Sequence, residues 1–142
     1  MTDTQNQPGD EFSLADFEVS ETATLDVLGV DQEPLLYRGQ PVRITVHGPG
    51  SAAYVRAESR AAQASQARAL AALRGKAGKT DLEEQRQQTA EKLAAVTAAI
   101  ENFPIPGGAL ALYGNPKLGY ITAQVERFLS DWANFKPASA KS

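Results

Sequence analysis

Between Leu118 and Phe135 the chain carries Leu118, Ile121, Val125, Phe128, Leu129, Trp132 and Phe135 at steps of three and four. That spacing lays them along one stripe of a helix, with Gln124, Glu126, Arg127, Ser130 and Asp131 on the polar back. Asn115 followed by Pro116 predicts the start, since an Asn side chain caps free amides and Pro has no N–H to leave unpaired at the first helical position. Burying side chains of this size contributes roughly 1.5–3 kcal/mol each. No other segment is as dense in them, so the remainder of the chain is expected to cover this stripe.

At 142 residues the chain has the length of one domain, with room for a modest core. A formal net charge of -3 calls for neither a nucleic acid nor an acidic membrane as partner. The chain has no Cys, which removes disulfides, thiolate nucleophiles and thiol metal sites. Met1 to Asp10 lacks the basic-then-apolar order of a signal peptide, and no apolar run is long enough to span a bilayer. The expectation is a soluble, cytoplasmic protein.

Residues 1–11 and 137–142 are polar and read as disordered tails around a single α+β domain over residues 12–136. Phe12, Leu14 and Phe17 either dock on that domain as a short turn or stay exposed for a partner. Thr22 to Val30 and Val42 to Val46 alternate in polarity and predict an N-terminal two-stranded antiparallel ribbon. Such a ribbon is marginal alone and needs an element against its apolar face. His47-Gly48-Pro49-Gly50-Ser51 stops the second strand, and Ser51 caps a helix that runs to about Leu73. This helix is rich in Ala and thin in large side chains, so the Leu118 to Phe135 stripe is its expected neighbour. Thr80 with Glu83 forms a capping-box pattern that opens a second helix to about Asn102, and the two make a long helical hairpin. Ala109 to Tyr113 suits a strand or a helical turn equally.

No chemistry stands out. Gly78-Lys79-Thr80 invites a phosphate-loop reading, but the position five before Gly78 is Leu73 and no strand precedes it. A basic turn with Thr80 as a cap accounts for it. His47 is the sole His, which rules out a His-rich metal site. Glu83-Glu84 and Glu18 with Glu21 stand in polar contexts, where nothing raises a carboxyl pKa for acid catalysis. Arg68, Arg74, Lys76 and Lys79 lack interleaved aromatics and read as a solvated face. No catalytic, cofactor or metal residue is assigned. Phe128, Trp132 and Phe135 are the candidate protein-binding residues, because an apolar stripe that reaches the end of a helix also serves for groove binding or strand pairing.

Three stretches together carry a family likeness: Pro41-Val42-Arg43-Ile44-Thr45-Val46-His47-Gly48-Pro49-Gly50-Ser51 with Tyr54, the Ala/Arg-rich helix after it, and Leu118-Gly119-Tyr120-Ile121 through Phe128-Leu129-Ser130-Asp131-Trp132-Ala133-Asn134-Phe135. Over roughly residues 20 to 136 the chain resembles the tail assembly chaperones of long-tailed bacteriophages. The resemblance implies a non-enzymatic protein of the host cell cytoplasm that transiently binds tape-measure and tail-tube proteins before they polymerise. It supplies no catalytic residues to carry over and leaves the oligomeric state open. A structural virion component, such as a tail-completion or connector subunit, and a small regulatory binding module are the competing readings.

Overall fold

Alternating polarity on either side of a turn-rich stretch sets up the sheet, and Ala-rich text after Ser51 sets up the helices. The computed structural model describes residues 12–75 and 81–137. In chain order it holds β1 (Thr22–Asp26), β2 (Leu36–Tyr37), β3 (Gln40–Pro41), β4 (Arg43–His47), α1 (Ala52–Leu73), α2 (Asp81–Ala95), β5 (Thr97–Glu101), α3 (Gly108–Gly114) and α4 (Gly119–Ser130). Short 3-10 turns lie at Leu14–Asp16, Pro116–Leu118 and Trp132–Phe135. The architecture is α+β, with a small antiparallel sheet whose order is β1-β4-β5.

The sheet is covered on one side only. Leu25 pairs with Ile44 and Ala23 with Val46, and this apolar face meets the helices, where Ile44 and Val46 are fully buried. The other face is polar: the Thr24 and Thr45 hydroxyls lie 2.8 Å apart, and Arg43 Nε sits 2.9 Å from Asp26 Oδ1. One-sided burial is what produces strict alternation in antiparallel strands. Between β1 and β4 the chain forms a small hairpin from β2 and β3. Its two central turn residues, Arg38 and Gly39, have φ of 52 and 79°, and positive φ at both positions matches the twist of a tight hairpin.

A third strand replaces the expected end of the second helix. That helix stops at Ala95, and Thr97–Glu101 pairs antiparallel with β4, Ile100 opposite Ile44 and Thr97 opposite Val46. The ribbon is therefore three-stranded. Leu93, Val96 and Ile100 fit a helical stripe, and inside β5 the less exposed residues, Thr97 and Ile100, stand three apart because a bulge interrupts the pairing beside Val46, so the strand shows no two-residue period. The open edge of β4 selects strand over helix. Thr97 marks the junction: its hydroxyl donates to Leu93 O at 2.8 Å and so satisfies a carbonyl at the end of the helix.

The cap at Ser51 is as expected. Ser51 is buried, its Oγ donates to Gly48 O at 2.7 Å, and it accepts from the Tyr54 N–H at 3.1 Å. The 22-residue α1 runs along α2 rather than along α4. Its less exposed positions on that side, Ala57, Ala61, Ala64, Arg68 and Ala71, recur at alternating steps of four and three, the spacing of a coiled-coil seam. Small side chains let the two helices approach without a large-residue partner, which corrects the expectation that the C-terminal stripe would cover α1. α2 in turn packs on α3, so Ala109 to Tyr113 is helical.

The C-terminal stripe is the centre of the core, but not as one helix. Asn115 accepts from the Lys117 N–H and Pro116 opens a 3-10 turn, after which α4 runs only to Ser130. Asp131 is extended, its carboxylate accepts from the Ala133 N–H at 3.0 Å, and Asn134 Nδ2 donates to Phe128 O at 2.9 Å. These short polar side chains offer the backbone partners that compete with helix, so the chain turns. Ile121, Val125, Leu129 and Phe135 are buried with Val27, Val42, Ile44, Val46, Val96, Leu112 and Tyr113. Phe12, Leu14 and Phe17 form a turn that does not dock: all three are exposed, with the two Phe rings stacked 5.5 Å apart. The Gly78-Lys79-Thr80 segment, the Thr80 cap and the tails at 1–11 and 138–142 lie outside the described residues.

Candidate protein-binding surfaces

The break at Asp131 sends the three candidate aromatic residues in different directions. Phe135 is fully buried and is therefore not a contact residue, a correction to its assignment as protein-binding. Its ring fills the space a side chain at residue 48 would need: a Cβ on Gly48 would overlap the ring. Its carbonyl accepts from the Ser20 N–H at 3.0 Å, which ties the C-terminal turn to the start of β1. Phe128 is half-buried and meets Phe135 edge-on, with centroids 5.5 Å apart. Trp132 is 56% exposed.

Phe128 also lines a groove of about 550 Å3 between β1 and α4. Leu25, Leu28, Tyr120 and Ala123 contribute apolar surface, and Asp26, Arg127 and Asp131 are charged residues along it. β1 is an edge strand of the sheet. The Val27 N–H donates to Val42 O and its carbonyl accepts from Leu35, so Val27 faces inward. Alternation then turns the N–H and C=O of Thr24, Asp26 and Leu28 toward the outer edge. At Leu28 this edge is already occupied: Gln124 Oε1 accepts from the Leu28 N–H and Nε2 donates to Leu28 O, both at 2.8 Å. The side-chain amide stands in for one residue of a neighbouring strand. Nothing in the sequence signals this bond, since Gln124 sits among polar helix residues 96 positions away.

The remaining sequence candidates do not converge. His47 is half-buried, and its backbone N–H donates to Val96 O at 2.7 Å. Glu18, Glu21 and Glu83 are exposed, and Glu84 lies 3.9 Å from Arg68 Nε in the helical hairpin. Among the described residues no group of three or more His, Asp or Glu could hold a metal ion. Nor is any described helix long and apolar enough to cross a membrane. Burial pushes the Tyr113 phenol up from 10.0, and its hydrogen bond with Thr97, 2.7 Å away, offsets part of that. It is inside the core and belongs to packing. No protein-family model, curated protein sequence or solved structure matches this chain.

Proposed function

We propose that the chain is a non-catalytic protein-binding module that acts as a phage tail assembly chaperone, holding tape-measure and tail-tube proteins in the host cytoplasm until they polymerise. The partner assignment rests on the sequence resemblance alone. The observation that carries the binding mode is the groove between β1 and α4, where an open strand edge runs beside apolar surface from Leu25, Tyr120, Ala123 and Phe128. An extended segment pairs its backbone with such an edge and places alternate side chains in the groove. Between Ser20, held by the Phe135 carbonyl, and the Gln124 clamp only Thr22, Thr24 and Asp26 of β1 turn backbone groups outward, and the Ser20 hydroxyl already donates to the Thr22 carbonyl, so few hydrogen bonds form. A short contact of this kind releases readily, which suits a partner that must leave for the growing tube.

The test is co-expression with tape-measure fragments and with tail-tube protein, followed by pull-down. Ala123→Arg fills the groove from an exposed helix position without touching the core. Recovery of a partner by the unaltered chain and its loss in that variant is the expected result. Recovery of nothing removes the reading, and equal recovery by the variant removes the groove. Mass spectrometry of finished virions separates a chaperone, which should be missing, from a structural component, which remains.

A further inference from the structure

Cross-strand pairing arranges the side chains of the sheet in rows. From β5 through β4 to β1 these are Glu101, Arg43 and Asp26; Ile100, Ile44 and Leu25; Ala99, Thr45 and Thr24; and Thr97, Val46 and Ala23. The first row alternates in charge and ends on Asp26, whose side chain is 77% exposed and has Arg43 Nε 2.9 Å from its Oδ1. The second is apolar and ends on Leu25, in the wall of the groove. In the third the Thr24 and Thr45 hydroxyls lie 2.8 Å apart. Every row stops at β1, because β1 is an edge of the sheet.

A strand added to that edge extends each row by one residue, since directly opposed side chains share a face and stand about 5 Å apart. Opposite Asp26 a cation continues the alternation of charge, whereas a carboxylate meets its like. Arg43 is already shared by Asp26 and Glu101, and in the groove Arg127 is offset by Asp131 four residues on, so the charge left over at Asp26 is negative. Opposite Leu25 a large apolar side chain enters the groove that Tyr120, Ala123 and Phe128 line. Opposite Thr24 a second Thr repeats the hydroxyl pair, and opposite Ala23 an apolar residue repeats Val46. β4 presents this series from the other side as Arg43-Ile44-Thr45-Val46, antiparallel to β1. Resting on the strand-addition reading above, we infer that the guest is an extended segment of the order cation, large apolar, Thr, apolar, which copies β4 on the opposite edge of β1. A folded second copy does not supply it, because β4 is the central strand and is paired on both sides. Ser20 is held by the Phe135 carbonyl and Leu28 by Gln124, so the guest spans little more than these four residues and binds weakly.

The probe is an acetylated and amidated peptide, Gly-Arg-Ile-Thr-Val-Gly, titrated to about 5 mM into the full chain, a concentration that detects millimolar affinity by NMR. The Thr24 and Asp26 amide signals should move. Replacing the peptide's Arg by Glu should weaken binding about fivefold, the upper range for a charge pair between neighbouring strands, and replacing its Ile by Ser should weaken it further. Asp26→Asn, at an exposed position, should bind the Arg and Glu peptides alike. Equal affinity of the two peptides for the unaltered chain, with the Thr24 and Asp26 signals moving, overturns the inference and leaves strand addition standing. A preference for Arg that survives in Asp26→Asn overturns it too. No movement of these signals with any of the peptides overturns both the inference and strand addition at this edge. Movement that follows protein concentration without peptide makes the guest a second copy, which also overturns the inference.

Discussion

Phe135 and Leu73 are both large apolar residues at the end of a helical segment, yet one is fully buried and the other 84% exposed. Phe135 belongs to the half built from the sheet, α3 and α4, where side chains from β1, β4 and the C-terminal segment interlock across long separations in sequence. Leu73 belongs to the helical hairpin, where the 22 residues of α1 include a single buried one, Ala57. The first half is held by area removed from water, and α2 joins it through Ala90 and Leu93, whereas α1 is held on α2 by helix propensity and a seam of small side chains. Stability should therefore be concentrated in the core, leaving the far part of α1 able to open by itself.

The largest effect is expected at the junction of Phe135 and Gly48. Phe135→Ala should cost about 3–5 kcal/mol in chemical denaturation, the usual range for emptying a buried aromatic site. Gly48→Ala alone should cost about 1–3 kcal/mol, because its Cβ meets the ring. In the Phe135→Ala background the same change should cost much less, and simple additivity of the two would show that the ring does not occupy that space in solution. Next comes Gln124→Ala, which leaves the Leu28 N–H and C=O without partners and should cost about 1–3 kcal/mol. An effect near zero would mean that water replaces the amide easily and that the strand edge is open along its whole length.

These two sites also show what the sequence makes legible and what it hides. The burial of Ile121, Val125 and Leu129 is readable from their spacing, because a helix against a core has one solution for where its large side chains go. Ser51 as a cap is readable for a similar reason: the capping bond is local. Phe135 stands out by its apolar spacing but takes a different role, since the stripe ignores the turn that Asp131 and Asn134 impose. β5 is hidden by a bulge that sets its inward residues, Thr97 and Ile100, three apart, a step that reads as helix. The Gln124 clamp is hidden because it joins residues 96 apart, and a helix surface gives no hint of which polar residue faces a strand. The groove has the same origin: it exists between β1 and α4 and in neither alone.

A third test uses the buried phenol of Tyr113. Tyr113 is neutral in the folded core, with its pKa held above 10.0 by burial against the smaller opposing effect of Thr97, whereas in the unfolded chain it ionises near 10.0. The unfolded state therefore loses its proton first, and the contribution of Tyr113 to stability is complete below pH 10.0 and falls as pH rises through the folded-state value. Tyr113→Phe should remove this alkaline loss. At neutral pH it should cost about 1 kcal/mol for the missing hydrogen bond, because the Thr97 hydroxyl keeps Leu93 O as a partner. Denaturant midpoints measured on both proteins across the alkaline range read the difference, and parallel curves would place the phenol in water rather than in the core.

The smallest global effect is expected from Ala69→Gly, at an exposed position in the far part of α1. Gly in a helix interior costs about 1 kcal/mol relative to Ala through backbone entropy, and the methyl group removed here faces solvent rather than the seam. If the two halves form one cooperative unit, that cost appears everywhere. If the hairpin end opens separately, it is confined there. Native-state hydrogen exchange at low protein concentration distinguishes the cases: amides in the last turns of α1 should exchange about fivefold faster, the equivalent of that energy, while the β4 amides keep their protection. Equal loss of protection in β4 would show that the thin alanine seam couples the hairpin to the core as strongly as the buried aromatic side chains do, and the contrast between Phe135 and Leu73 would then concern burial only and not stability.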